Sequence, residues 1–148
     1  MKRSIIPHVV KNADVLKLSE DATVAEAAKS MMEWDVAAIC IDDGQSGLIG
    51  IVTERDLTRR VLANGSDPKS TKLSEIMTRD PDCLSPTDSA GDALKMMQQN
   101  HYRHMPVVEG GKVVAMLSIR DLYAVVTQSL EEEVRQTEAY VMGHGYSA

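Results

Sequence analysis

The chain repeats itself, and that constrains its fold more than any other property. The segment from Ser19 to Met31 lines up with Ser85 to Met97 at an offset of 93 − 27 = 66. Further on, Gly50-Ile-Val-Thr53-Glu-Arg55-Asp56-Leu57 lines up with Ala115-Met-Leu-Ser118-Ile-Arg120-Asp121-Leu122, at 121 − 56 = 65. The lost residue falls between the turn-like stretches 42–47 and 109–112, where a deletion is tolerated. Self-similarity at a fixed period means two copies of one structural unit.

Each copy reads as β-α-β-β-α. A strand (Val15 to Leu18; Asp82 to Leu84) precedes a helix. The first helix opens at Thr23 with Glu26 three residues on, a capping-box spacing that Ser89 and Asp92 echo. Val24, Ala27, Ala28, Met31 and Met32 recur at helical spacing. Two strands follow, Val36 to Ile41 with Leu48 to Val52, and Met105 to Val108 with Val113 to Leu117; their glycine-containing links predict hairpins. A second helix begins at Thr53 or Ser118. Asn64-Gly65-Ser66-Asp67-Pro68 ends the first copy, and Leu73 to Met77 reads as a helical turn leading into the second. A unit of about 60 residues buries a poor core alone. The expectation is therefore an α/β (α+β) fold, its two units packed sheet to sheet with pseudo-two-fold symmetry. The divisions are 1–66, 67–127 and a C-terminal helical tail, 128–148. That tail continues the last helix through Leu122, Val125, Val126, Leu130 and Val134 to Tyr140 and Val141. It either packs on its own domain or meets a partner; Gly143 to Ala148 reads as a frayed end.

Composition excludes several classes. The 148 residues include no Phe, one Trp and four Tyr, against 43% hydrophobic and 26% charged residues. The core must come from Val, Ile, Leu, Ala and Met, and a stacking platform for single-stranded nucleic acid is not expected. No apolar run is long enough for a membrane span, and no apolar stretch follows the basic N-terminus as a secretory signal would require. The net charge of −6 argues against non-specific nucleic-acid or membrane-surface binding. Cys40 and Cys83 form no CxxC pair and read as buried thiols in a reducing compartment, the cytoplasm.

Two constellations carry candidate chemistry. In Gly50 to Asp56 a strand delivers the Thr53 hydroxyl to the start of a helix, where free N–H groups and the helix dipole favour phosphate. Asp56, one turn on, can accept two hydrogen bonds from a vicinal diol such as ribose. Thr-x-x-Asp is equally a plain helix cap, and its recurrence as Ser118-Ile119-Arg120-Asp121 puts the two readings on level terms. In Tyr102-Arg103-His104-Met105-Pro106-Val107, the Arg and His at a strand mouth could neutralise phosphate, although an exposed loop would carry the same residues. The first copy has Ala37-Ala38-Ile39-Cys40 there, so the two pockets are expected to be unequal. His101 and His104 lack the further ligands a metal needs. Met31/Met32 and Met96/Met97 read as core filler, Trp34 as packing, Cys40 in the place of Pro106 as structural, and Glu131 to Glu133 as a solvated face. No catalytic triad or phosphate-binding glycine loop is present.

In combination, Gly50-Ile-Val-Thr-Glu-Arg-Asp-Leu57, Tyr102 to Val107 and Ile76-Met77-Thr78 resemble the tandem cystathionine-β-synthase (CBS) domain pair, or Bateman module, over residues 9 to 127. The resemblance implies a non-enzymatic regulatory sensor. It would bind AMP, ADP or ATP, with NAD or S-adenosylmethionine as further candidates, in clefts between the copies. Asp56 and Asp121 would bind ribose, Thr53 and Ser118 would contact phosphate, and Arg103 and His104 would stand on the phosphate side. Arg55, Arg120, Met105 and Pro106 belong to the same motifs and join the candidate ligand-binding set. Adenine would slide between aliphatic side chains and bond main-chain groups near Val15-Leu16 or Pro81-Asp82. A homodimer acting on an effector protein is also implied. Ala115 replaces the usual Gly, Ser118 replaces Thr, and Val10-Lys11-Asn12 stands where the second copy has Ile76-Met77-Thr78. The site with Ser118, Asp121 and Arg103 is therefore expected to be the stronger one, and that with Thr53 and Asp56 weak or empty. The competing reading is a ligand-independent dimerisation scaffold whose C-terminal helix is the working surface; a metal-dependent enzyme using His101 and His104 ranks third.

Overall fold

The computed structural model describes residues 3–144; of the expected frayed end, 145–148 lie outside the described residues. The first copy contains β1 (Lys17–Leu18), α1 (Val24–Trp34), β2 (Ala38–Asp42), β3 (Leu48–Thr53) and α2 (Glu54–Asp56), which continues as wider π-helical turns over Leu57–Leu62. A 3₁₀ turn at Leu73–Glu75 and β4 (Thr78–Arg79) lie between the copies in sequence. The second contains α3 (Ala90–Asn100), β5 (His104–Glu109), β6 (Lys112–Ser118) and α4 (Ile119–His144). One sheet runs β1-β2-β3-β4, with β1 parallel to β2 and the other pairs antiparallel; β5 and β6 form the second.

The helix ends follow the sequence closely. Thr23 Oγ1 accepts from Glu26 N at 3.2 Å and Glu26 Oε2 accepts from Thr23 N at 2.9 Å, a complete capping box. Ser89 Oγ accepts from Asp92 N at 3.1 Å, without the reciprocal bond. Both helices stop at a left-handed residue, Asp35 (φ 52°) and His101 (φ 57°), which are repeat mates. In the hairpins, Asp42↔Leu48 corresponds to Val108↔Val113, and the intervening stretch is 43–47 in one and 109–112 in the other. That is the missing residue.

Burial shows how the sheets are used. Ala38, Ile39, Cys40 and Ile41 are consecutive and all buried, so β2 is covered on both faces. Ile39, Ile41 and Val52 pack under α1 with Ala27 and Met31, while Ala38, Cys40 and Ile51 lie outside that cluster on the face toward the other copy. The second copy repeats the division: Met105, Val107, Ala115 and Leu117 pack under α3, and buried Pro106 takes the other face.

The leading segments are exchanged. Residues 3–6 precede the first copy but bond to the second: Ala90 N donates to Arg3 O (2.8 Å), Ile5 N to Asp88 O (2.9 Å) and Ile6 N to Pro86 O (3.0 Å). The stretch before the second copy repeats the pattern on the first: Val24 N to Thr71 O (2.9 Å), Leu73 N to Ala22 O (2.9 Å) and Ser74 N to Glu20 O (3.0 Å). Ile5 and Leu73, both fully buried, close the cores of copies they do not precede. The turn at Leu73 thus leads into the second copy in sequence only. The same segment brings β4 across Gly50, where an added Cβ would lie 2.6 Å from Met77 Sδ and 3.1 Å from Thr78 O; this is why a glycine stands there. Opposite Ala115 the matching stretch makes one bond, Ala13 N to Val114 O at 3.1 Å, and a methyl fits.

Three expectations need correction. β1 is shorter than Val15 to Leu18, although Leu16 O still accepts from Cys40 N at 3.0 Å. Asp82 to Leu84 forms no strand: Leu84 alone of the three bridges, to Val107, and Asp82 and Cys83 are exposed. Cys83 is therefore exposed, and only Cys40 is a buried thiol; burial pushes that thiol up to about 12. The last helix does run long, and beyond Ser129 nearly all of it is exposed.

Leu73→Ala should destabilise the whole protein by about 2–5 kcal/mol, as for a large core truncation. Because the segment belongs to both copies, urea unfolding should stay a single transition; independent melting of the two halves would contradict the exchange.

Candidate functional site

At each junction of central strand and helix the hydroxyl and carboxylate form a cap. Thr53 N donates to Asp56 Oδ2 (2.9 Å), Thr53 Oγ1 donates to the same oxygen (3.2 Å), and Asp56 N donates to Thr53 Oγ1 (3.4 Å). Ser118 and Asp121 repeat this with 3.0, 2.9 and 3.2 Å. The capping reading of the motif therefore holds, and the capped turn also lines a cavity in each copy. One carboxylate oxygen is consumed by the cap and Oδ1 remains. In the first copy Arg60 Nε approaches Asp56 Oδ1 at 3.6 Å; Arg60 also donates to Ile76 O at 2.7 Å. Its repeat mate is Val125, and Asp121 has no ion pair of this kind among the described residues.

Two cavities open at these junctions. The one beside Thr53 and Asp56 has a volume of about 260 Å³ and is walled also by Arg55, Pro81, Asp82, Tyr102, Met105 and Pro106. The one beside Ser118 and Asp121 has about 1060 Å³ and is walled also by Lys11, Asp14, Val15, Ala115, Met116 and Arg120. Ligand pockets ordinarily span about 300–1,000 Å³, so the first is tight and the second ample. Each draws on both copies: Pro81 and Asp82 face the first copy's motif, and Val15 faces the second's.

Arg103, His104, Glu54 and Ala37 line both cavities. β5 starts at His104, paired with Ser118 across the hairpin, which sets the two basic residues beside the second motif; packing of the copies sets them beside the first. The smaller cavity therefore does not lack a basic pair, as the comparison of the two copies suggested. Burial holds His104 below its ordinary value of 6.5, outweighing the opposing pull of Glu54 and Asp121. The Arg103 side chain has no hydrogen bond or ion pair among the described residues, whereas Arg55 Nη1 donates to His101 O at 3.1 Å, tying the copies together.

Of the residues singled out in the sequence, Thr53, Arg55, Asp56, Pro81, Asp82, Met105 and Pro106 meet at the smaller cavity; Val15, Ser118, Arg120 and Asp121 meet at the larger; Arg103 and His104 serve both. Leu16 lines neither and is buried in the first core. Tyr102 puts an aromatic wall on the smaller cavity, where only aliphatic walls were expected, and its hydroxyl donates to Asp82 Oδ2 at 2.5 Å. That bond raises the Tyr102 hydroxyl above its usual range. Glu54 and Arg60 were also missed. Arg60 was detectable as the residue one helical turn after Asp56; Glu54 sits inside the motif, but nothing in its spacing distinguishes it. His101 serves as the left-handed cap of α3 and is not part of a metal cluster, none of which is present among the described residues.

Comparisons with known proteins agree with this architecture. The CBS domain family matches residues 8–63 and 73–127. The chain is 35% identical over 130 residues to the CBS domain-containing protein CBSX3, mitochondrial, of Arabidopsis thaliana, covering 85% of this chain and 63% of that one. It spans 23% and 26% of the length of two further curated CBS domain-containing proteins of that plant. Among solved structures, the CBS-domain containing protein ATU1752 from Agrobacterium tumefaciens has a TM-score of 0.71 at 26% identity, covering 77% of this chain and 90% of that one. The CBS domain pair of protein MJ0100, in complex with 5′-methylthioadenosine and S-adenosyl-L-methionine, has a TM-score of 0.71 at 21% identity, covering 79% and 91%, a likeness of fold. With both repeats matched and the exchanged two-copy fold in place, this chain belongs to the CBS-domain family, as a tandem pair.

Proposed function

We propose that the chain is a regulatory module without catalytic activity that binds an adenosine nucleotide, AMP or ATP foremost, between its two copies. The observation that carries this is the placement of an unpaired Arg103 and a half-buried His104 between two cavities, each with a strand-end carboxylate. A carboxylate oxygen suits a ribose diol, and an unpaired guanidinium suits a phosphate. That MJ0100 holds adenosine compounds in the same fold supports the adenosine part; the basic pair favours a phosphorylated ligand here. Within this reading the larger cavity is the main site. Its volume accommodates a nucleotide, and Asp121 Oδ1 is free of the cation that engages Asp56. Binding would shift the arrangement of the copies, and an effector protein would read the shift. The reading includes a homodimer and, with two free thiols, a reducing cytoplasmic address.

A second reading, a ligand-independent interaction scaffold, is favoured by one feature. Tyr123, Leu130, Val134 and Val141 are exposed on one stripe of α4, away from the face that buries Leu122 and Ser129. No helix among the described residues is long and apolar enough to cross a membrane.

Thermal unfolding separates the two. AMP or ATP at millimolar concentration should raise the melting temperature by mass action, and Asp121→Ala should abolish the rise more fully than Asp56→Ala. No shift with AMP, ATP, NAD or S-adenosylmethionine would refute nucleotide sensing. Truncation after Ser129 should leave the AMP response intact; a truncated chain that loses its oligomeric mass, in a protein that never responds to AMP, would establish the scaffold.

Affinity should also depend on pH through His104. In the free protein the neutral ring is favoured by burial, so its contribution to stability is complete above about pH 6.5 and declines as pH falls through the lower folded value. A bound phosphate reverses the preference, so AMP binding should take up protons at His104 and tighten as pH falls toward that ring's ordinary value of 6.5. Calorimetry in buffers of different ionisation enthalpy measures that uptake, and His104→Gln should remove it.

A further inference from the structure

The two cavities are related by the repeat, and a strict duplication would give each its own basic pair. The second copy has Arg103 and His104; the matching positions of the first are Ala37 and Ala38. Packing nevertheless brings that one pair to both walls, together with Glu54 and Ala37. Deepening the nucleotide reading above, on which it rests, we infer that Arg103 and His104 form a single phosphate subsite common to both cavities, so that one chain holds two nucleosides but only one phosphorylated nucleotide tightly.

The other cations do not relieve this. Arg55 lines the smaller cavity but its guanidinium is tied to the His101 carbonyl. Arg60 is occupied by Asp56 and by the Ile76 carbonyl. Lys11 and Arg120 line the larger cavity only. A phosphate drawn to the larger cavity therefore engages Arg103 with the support of Lys11 and Arg120. A second phosphate in the smaller cavity meets a guanidinium already committed and the Glu54 carboxylate beside it. Like charges brought together in a walled cleft repel more strongly than in water. A nucleoside has no such conflict, because its ribose uses Asp56 or Asp121, which are private to each cavity. The coupling is reciprocal: whichever cavity takes the phosphate first weakens the other.

Titration calorimetry of the full chain with adenosine and with AMP at one pH tests this. Two adenosines per chain are expected, against one tight AMP and any second AMP at least about tenfold weaker. In Arg103→Ala the preference for AMP over adenosine should fall at least about tenfold, the loss of a charge-assisted contact. Two AMP molecules of equal affinity, one adenosine per chain, or an unchanged AMP-to-adenosine ratio in Arg103→Ala would each overturn the shared subsite while leaving nucleotide binding standing. Binding of neither compound would overturn both.

Discussion

The exchange of leading segments is the constraint on which the rest of the molecule depends. Neither repeat can satisfy its own helix start: the first free N–H of α1 is taken by Thr71 and that of α3 by Arg3. Neither can seal its own core, since Leu73 and Ile5 arrive from before the other copy. Each such hydrogen bond contributes about 0.5–1.5 kcal/mol net and each buried aliphatic side chain about 1.5–3 kcal/mol. These are small terms singly, but they all fail together if the copies separate. Two half-size units too small to stand alone become one cooperative body.

The cavities follow from the same geometry. Because the stretch before each copy crosses to the other, Val15 reaches the second motif and Pro81 and Asp82 reach the first. A site of this kind cannot be built within one repeat. It records the relative placement of both, so a ligand wedged there bears on the interface that holds the fold together. The caps serve the same end: each motif carboxylate is fixed by two bonds from its own turn to one oxygen, which leaves the other oxygen outside the cap.

Much of the fold is legible in the sequence alone. The offset of the repeat, the Thr23–Glu26 box and the hairpin that loses a residue are local features, and local physics governs them. The exchange was not readable, because an offset says which residues correspond and not which core a segment enters. Leu16 illustrates the limit: its neighbour Val15 lines a cavity while Leu16 turns into the core, as successive residues of an extended chain must. Cys83 shows another, since its copy's first strand reduces to a single bridge and leaves the thiol outside. Arg103 lines the cavity of Ser118 and Asp121, as its sequence position implies, and its reach into the other cavity is not legible for a related reason. Comparing the copies in sequence assigns the residue to one pocket, whereas packing places it between two.

That last point bears on how a duplicated fold acquires asymmetric behaviour. The backbone keeps the pseudo-two-fold relation closely enough for caps, left-handed helix ends and exchanged segments to match residue for residue. The side chains break it at many positions, among them Ala37 against Arg103, Arg60 against Val125 and Gly50 against Ala115. The repeated backbone supplies a cavity at each motif, and Arg103, His104, Glu54 and Ala37 line both. The asymmetric charges then make the linings of the two unlike. Symmetry of the main chain and asymmetry of the side chains are thus separate inputs, and a graded response requires both, since identical isolated sites respond independently and a single site has nothing to be compared with.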